Sequence, residues 1–239
     1  MTRETNTAGR PPGIVPPAQP ADTGGYGEVL AGLGSAALVD AMGRTHRHRA
    51  HLLPLVSPDP TRTLFGPAVT MAYMPWRDDV PQASRTFADF FYEAVGPDPA
   101  GKVLVLSSGG YAQVSHAGGT KLSRAAHHHL AGVLADGRLR DFGQLRGYDF
   151  ATWCQGETTR WGGDTVMPYA ANITVEFAGV AVVPGDYVFC DAAGAVVIPA
   201  GSLPEVLATA RAVDAEDARF VERIRTEANP ATPRRASGT

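Results

Sequence analysis

The chain has 239 residues, 44% of them hydrophobic and 19% charged, with a formal net charge of −3. That length buries a substantial core in one domain, and no Lys/Arg block beyond short clusters such as "RTHRHRAH" carries the electrostatic footprint of a nucleic-acid binder. No apolar run approaches the ~20 residues a bilayer span needs, and two cysteines, Cys154 and Cys190, are too few for a disulfide framework, so a soluble, cytoplasmic protein is expected.

Residues 1–25 are rich in Pro, Gly, Thr and Ala and lack an apolar h-region, so a disordered segment is expected there and not a secretory signal. In "YGEVLAGLGSAALVDAMGR", Leu30, Leu33, Ala37, Leu38 and Met42 recur at helical spacing, with Gly43 placed to stop the helix. "LLPLV" reads as a short extended stretch. "TLFGPAVTMAYM" alternates as a strand should, with Gly66-Pro67 as a bulge or edge. "VPQASRTFADFFYEAV" is predicted helical, with Phe87, Phe90, Phe91 and Val95 on one side.

"KVLVLSS" reads as a buried strand, followed by the Gly-rich "GGYAQVSHAGG", a helix over about "TKLSRAAHHHL", and a second buried strand in "AGVLAD". Strand, helix and strand at this spacing form a βαβ unit with a parallel, right-handed crossover. "ITVEFAGVAVVPGDYVFCDAAGAVVIP" alternates and turns repeatedly, as antiparallel strands do. "LPEVLATARAVDAEDARFVERIRTE" is a long amphipathic helix with Val206, Leu207, Ala210, Val213, Ala218, Val221 and Ile224 roughly in register. Residues 228–239 return to a disordered composition. The body, 26–227, is therefore a mixed α/β domain.

Ligands of open α/β sheets bind beyond the carboxyl ends of the strands. Two features meet there. Gly118-Gly119 opens a helix, leaving the amides of Gly119, Thr120 and Lys121 as a cradle for a carboxylate or phosphate. Arg140 and Asp141, in "ADGRLRD", follow the second strand at the same edge. Arg140 has the planar fork for a carboxylate, and Asp141 is a hard oxygen donor for Mg²⁺ or Mn²⁺. The ion would stabilise an enolate of a 2-oxo acid. A surface ion pair after a strand and a plain Gly-Gly turn are the competing readings.

The order of "GSAALVDAMGR", "LFGPAVTM", "GGTKLSRAAHHHLAGVLADGRLRD" and "VPGDYVFCDAAGAVVIP" resembles the RraA-like family across about residues 28–225. That family includes the regulator of ribonuclease activity A and the metal-dependent aldolases of 4-hydroxy-4-methyl-2-oxoglutarate and 4-carboxy-4-hydroxy-2-oxoadipate. The resemblance implies a swivelling β/β/α-type fold with a mixed sheet and a long C-terminal helix, assembled as a homotrimer or a dimer of trimers. It implies Asp141 as metal ligand and Arg140 as carboxylate clamp, with the amides around Thr120 and Lys121 on the oxo acid. A carboxylate from a neighbour's C-terminal helix (Asp214, Glu216 or Asp217) would complete the site. Two positions depart from the family pattern: Gly119 and Gln144 stand where aldolase members carry acidic residues.

Among other residues, His116 lies in the Gly-rich loop facing the proposed site and is a candidate acid/base. His127, His128 and His129 point about 100° apart on a helix and cannot share one metal. His46, His48 and His51 read as surface residues. Lys121 could reach the site as a cation, and Trp161 could line a pocket or an interface, with packing the preferred role. Asp136 is placed to cap a turn, and the two cysteines pack the core. The sequence thus predicts a metal-dependent carbon–carbon lyase acting on a small 2-oxo acid. The alternatives are a non-catalytic trimeric regulator or a different reaction on the same scaffold. No nucleic-acid or membrane partner is expected.

Overall fold

The computed structural model describes residues 26–52 and 54–227. The two segments expected to be disordered, 1–25 and 228–239, lie outside them. The helices are α1 (Gly27–Leu30), α2 (Ser35–Thr45), α3 (Phe87–Val95), α4 (Gly119–His127), α5 (Phe142–Leu145) and α6 (Leu203–Arg225). The main sheet takes β1 (His51–Leu52), β2 (Leu64–Pro75), β3 (Val103–Ser107), β5 (Gly132–Ala135), β7 (Ala151–Trp153), β8 (Val166–Ala171), β11 (Tyr187–Asp191) and β12 (Gly194–Ile198). Two small ladders stand outside it: β4 (Ser115–Ala117) with β6 (Arg138–Leu139), and β9 (Val175–Phe177) with β10 (Val180–Val182).

The strand order β1-β12-β11-β2-β3-β5-β7 joins a parallel half to an antiparallel half along β2. Residues Leu64 to Pro67 pair antiparallel with β11, and Met71 to Pro75 pair antiparallel with β8. Residues Ala68 to Ala72 run parallel to β3. Gly66-Pro67 sits at the end of the β11 ladder. A Cβ on Gly66 would lie 2.2 Å from the Gly101 carbonyl, so glycine is required by close approach. The bulge lies further on, between Ala72 and Tyr73.

The βαβ unit forms as expected, with β3 and β5 parallel and α4 between them. Alternation along β2, β3 and β5 buries both faces. Met71, Leu104 and Val133 pack under α3 and α4, while Ala68, Val105 and Leu134 pack toward the β9–β10 hairpin. A third cluster lies between β11–β12 and the paired helices α2 and α6. Helix α3 starts with a capping box, Thr86 and Asp89 bonding reciprocally, and buries Phe87, Phe90, Phe91 and Val95 as predicted.

Three expectations are corrected. The first predicted helix is two, broken at Gly32 (φ +82°), and α2 continues through Gly43 to Thr45. Only Val206 to Val213 of the α6 apolar row is buried; Ala218, Val221 and Ile224 are exposed. Arg140 and Asp141 do not leave the second strand directly: the chain turns at Asp136 and Gly137 into β6 before reaching them.

Candidate functional site

The site grows from the β4–β6 ladder. β4 runs Ser115, His116, Ala117, so Ser115 and Ala117 share one face while His116 takes the other. Leu139 pairs with Ala117, and the Arg140 amide donates to the Ala117 carbonyl at 3.0 Å. This places Arg140 and Asp141 beside Gly118 at the start of α4. A cleft of about 310 Å³ results, lined by Ser115, Ala117, Gly118, Thr120, Lys121, Arg140, Asp141 and Trp161.

Asp141 adopts the left-handed conformation (φ 64°, ψ 46°), which Asp tolerates better than most residues. One carboxylate oxygen, Oδ2, accepts from the Gly119 amide at 3.1 Å, satisfying an orphan donor of α4. The Glu157 carboxylate holds the same turn from behind, accepting from the Phe142 amide at 2.8 Å. A Cβ on Gly118 would fall 2.7 Å from Asp141 Oδ2 and 3.0 Å from Arg140 Cβ, so the close approach requires glycine.

Lys121 is half-buried on the cleft wall, its Nζ 5.3 Å from the Phe87 ring centroid. Burial, and then Arg124 and Arg140, push its ammonium below the usual lysine value. With Lys121 and Arg140 against Asp141, the side chains of the cleft favour an anion.

The predicted residues Gly119, Thr120, Lys121, Arg140 and Asp141 are therefore brought together, and His116 is not. Its ring points away from the cleft into the interior, only 1% exposed. Nε2 lies 3.4 Å from the Ser108 carbonyl, and the Nδ1 edge sits against Gly137. Burial pushes its pKa down. Position 119 is also particular: a Cβ there would meet Gln144 Oε1 at 2.1 Å and Cδ at 2.3 Å. Gln144 Nε2 donates to Tyr148 Oη at 2.7 Å, and that hydroxyl donates to the Gly119 carbonyl at 2.9 Å. The two departures from the family pattern thus form one contact, with the amide of Gln144 filling the space a residue-119 side chain would take.

Ser115, Ala117 and Gly118 line the cleft without having been expected there, and Trp161 takes the pocket-lining role that was the alternative to packing. The indole is 59% exposed at the cleft. Of the three carboxylates considered on α6, none lines this chain's cleft, and Glu216 pairs with Arg44 at 2.9 Å. Both cysteines are buried thiols, with burial pushing Cys154 up to about 11. His127 ends α4, His129 adopts φ 54°, and His128 packs on Phe91 and Tyr92.

Among the described residues Asp141 Oδ1 accepts no hydrogen bond, which leaves this cleft-lining carboxylate a hard oxygen donor. Among the described residues no group of three or more His, Cys, Asp or Glu side chains converges to cage a metal. The residues thus fit Mg²⁺ or Mn²⁺ only as a one-carboxylate site completed by water and ligand oxygens, a mode Mg²⁺ commonly uses. Nor is any helix among them long and apolar enough to cross a membrane.

A family model described as RraA-like: Aldolase/RraA matches residues 35–197. Among solved structures, the chain is similar to Streptomyces coelicolor RraAS2, described as an unusual member of the RNase ES inhibitor RraA protein family. The two share 28% identity and a TM-score of 0.72 over 86% of this chain and 100% of that one. It is 32% identical over 117 residues to a Halalkalibacterium halodurans protein named "Putative 4-hydroxy-4-methyl-2-oxoglutarate aldolase", 49% of this chain and 55% of that protein. It is 26% identical over 144 residues to Protein DlpA of Legionella pneumophila, 60% of this chain and 23% of DlpA. The chain therefore spans about half, and less than a quarter, of these two relatives' lengths.

Proposed function

The chain belongs to the RraA-like family, Aldolase/RraA, and from that premise we propose that its cleft cleaves a carbon–carbon bond in a 2-oxo acid with a divalent cation, by retro-aldol or decarboxylation. One observation carries the reading: Arg140, Asp141, Lys121 and the first amides of α4 converge on a single cleft.

Arg140 grips the substrate carboxylate through its planar fork. The Thr120 and Lys121 amides at the helix start, reinforced by the helix dipole, take the remaining oxygens. Asp141 would hold Mg²⁺ or Mn²⁺, which when bound supplies Lewis-acid stabilisation of enolate charge. The Gly119 amide fixes the Asp141 carboxylate so that it need not reorganise. Lys121, with its ammonium pushed below the usual value, is the cleft side chain suited to give a proton. His116 has no part, since its ring is turned inward. Assembly as a homotrimer or dimer of trimers belongs to the same proposal.

The test is pyruvate release from oxaloacetate and from 4-hydroxy-4-methyl-2-oxoglutarate with Mg²⁺, Mn²⁺ or EDTA, with Asp141→Ala alongside. Metal-dependent turnover lost in the variant is the expected result. Turnover no faster than that of the free ion would favour a second reading, a non-catalytic binding protein. The Gly119–Gln144 contact supports that alternative, because among the described residues it leaves Asp141 as the cleft's one carboxylate.

A further inference from the structure

Trp161 stands at the cleft with more than half its surface exposed, although a large aromatic side chain gains most from being covered. Its position is built. Trp161 bridges Ser115 of β4 in parallel register, and the Ser115 amide donates to the Arg160 carbonyl at 3.0 Å. Gly162 packs so closely that a Cβ would lie 2.3 Å from the Ser115 carbonyl. A Cβ on Gly163 would lie 2.2 Å from Trp161 Cζ2 and 2.5 Å from Cε2, so the six-membered ring lies against the Gly163 backbone. A side chain at Gly163 would displace the indole, and one at Gly162 would push the segment off the Ser115 backbone.

The cleft therefore has two chemically different sets of walls. Arg140, Lys121 and Asp141 make the charged set; Trp161, Ala117 and Gly118 make one of low polarity. We infer that the ligand is a 2-oxo acid carrying a planar apolar group beyond its carbonyl carbon, and that Trp161 is the residue that selects it. The anionic head goes to Arg140 and the planar group covers the indole. This rests on the reading of Arg140 as the carboxylate clamp and extends it from head to body.

Calorimetric binding of phenylpyruvate and pyruvate, each with Mg²⁺, tests it on the full chain and on Trp161→Ala, Trp161→Phe and Arg140→Ala. Phenylpyruvate is expected to bind at least about tenfold tighter than pyruvate. Trp161→Ala should bring the two within about twofold, Trp161→Phe should keep most of the preference, and Arg140→Ala should weaken both acids alike. Equal affinities in the unaltered chain, or a preference that survives Trp161→Ala, would overturn the inference while leaving the carboxylate clamp standing. Binding of both acids unaffected by Arg140→Ala would instead overturn the clamp, and the inference with it. Sedimentation velocity on Trp161→Ala adds one more outcome: a changed oligomeric state would make the indole an interface residue and also overturn the proposal.

Discussion

The Gly119 amide donates to Asp141 Oδ2 at 3.1 Å, tying the first residue of α4 to a carboxylate held in the left-handed conformation. The bond both caps the helix and aims the acid, and substitution separates these roles. Asp141→Asn keeps an acceptor and tolerates a positive φ, so stability should change by less than about 0.5 kcal/mol. Asp141→Ala removes the short polar side chain that makes a positive φ tolerable and strips the cap, costing roughly 1–2 kcal/mol. Both should lose lyase turnover by about 100-fold or more, since neither keeps the charge. Urea unfolding beside pyruvate release checks this. An Asn variant that stays active would remove Asp141 from the metal-binding role.

Gly118→Ala should damage the site without damaging the fold. Gly118 has φ −156°, extended backbone open to any residue, so no strain arises. The added methyl would instead meet Asp141 Oδ2 at 2.7 Å and Arg140 Cβ at 3.0 Å. Displacing two active groups by a fraction of an ångström should cost about tenfold to 100-fold in kcat/KM. Melting temperature should move by only a few degrees. Unchanged kinetics would mean that the spacing between α4 and Asp141 is not used in turnover.

What could be read beforehand follows the length of the pattern. The βαβ unit and α3 repeat apolar residues over enough turns for a period to emerge, but the start of α3 is misplaced. The helix expected from Val80 begins at Phe87 behind the Thr86–Asp89 capping box, after a separate 3-10 turn at Pro81–Ser84. β4 and β6 have three and two residues and pair across about twenty intervening positions, too short for a period of two. His116 was therefore turned toward the site, although the alternation of Ser115, His116 and Ala117 turns it inward once the strand is known. On α6 the apolar row runs on past Val213, but its partner α2 has only 11 residues, so Phe220, Val221 and Ile224 stay uncovered. Trp161 is legible only as a packing or pocket residue, with no choice between the two, because its position depends on one bridge to Ser115 and two close-packed glycines.

Gly119→Asp should restore a carboxylate at little cost in stability. The new Cβ would collide with the end of the Gln144 side chain, which is exposed and flexible, so Gln144 swings out and loses its bond to Tyr148. That loss, about 0.5–1.5 kcal/mol, is offset by removing a helical glycine and adding an acid to the first turn. Net stability should stay within about 1 kcal/mol, and Mn²⁺ should bind about tenfold tighter. Mn²⁺ titration followed by electron paramagnetic resonance reads this directly, with Gln144→Ala as a control that adds no charge. If Mn²⁺ affinity does not rise, the cation site is not adjacent to position 119.

Asp136 gives a pH dependence whose sign can be worked out. It is 6% exposed and accepts the Ser108 amide, and its carboxyl is pushed up to about 6, chiefly by burial with Glu176 adding to the effect. Below its ordinary value of 3.8 the group is protonated in folded and unfolded chains alike, and it costs nothing. Between 3.8 and about 6 the unfolded chain ionises while the folded one stays neutral, so stability falls as pH rises. Above about 6 the loss is complete, and over the whole window it amounts to roughly 3 kcal/mol. Asp136→Asn keeps an acceptor for Ser108 and does not titrate. The unfolding free energy of the variant minus that of the unaltered chain should therefore climb by roughly that amount from pH 4 to pH 7, since other titrations cancel in the difference. Urea unfolding at half-unit pH steps measures it, and a flat difference would show that Asp136 ionises as readily inside the fold as outside it.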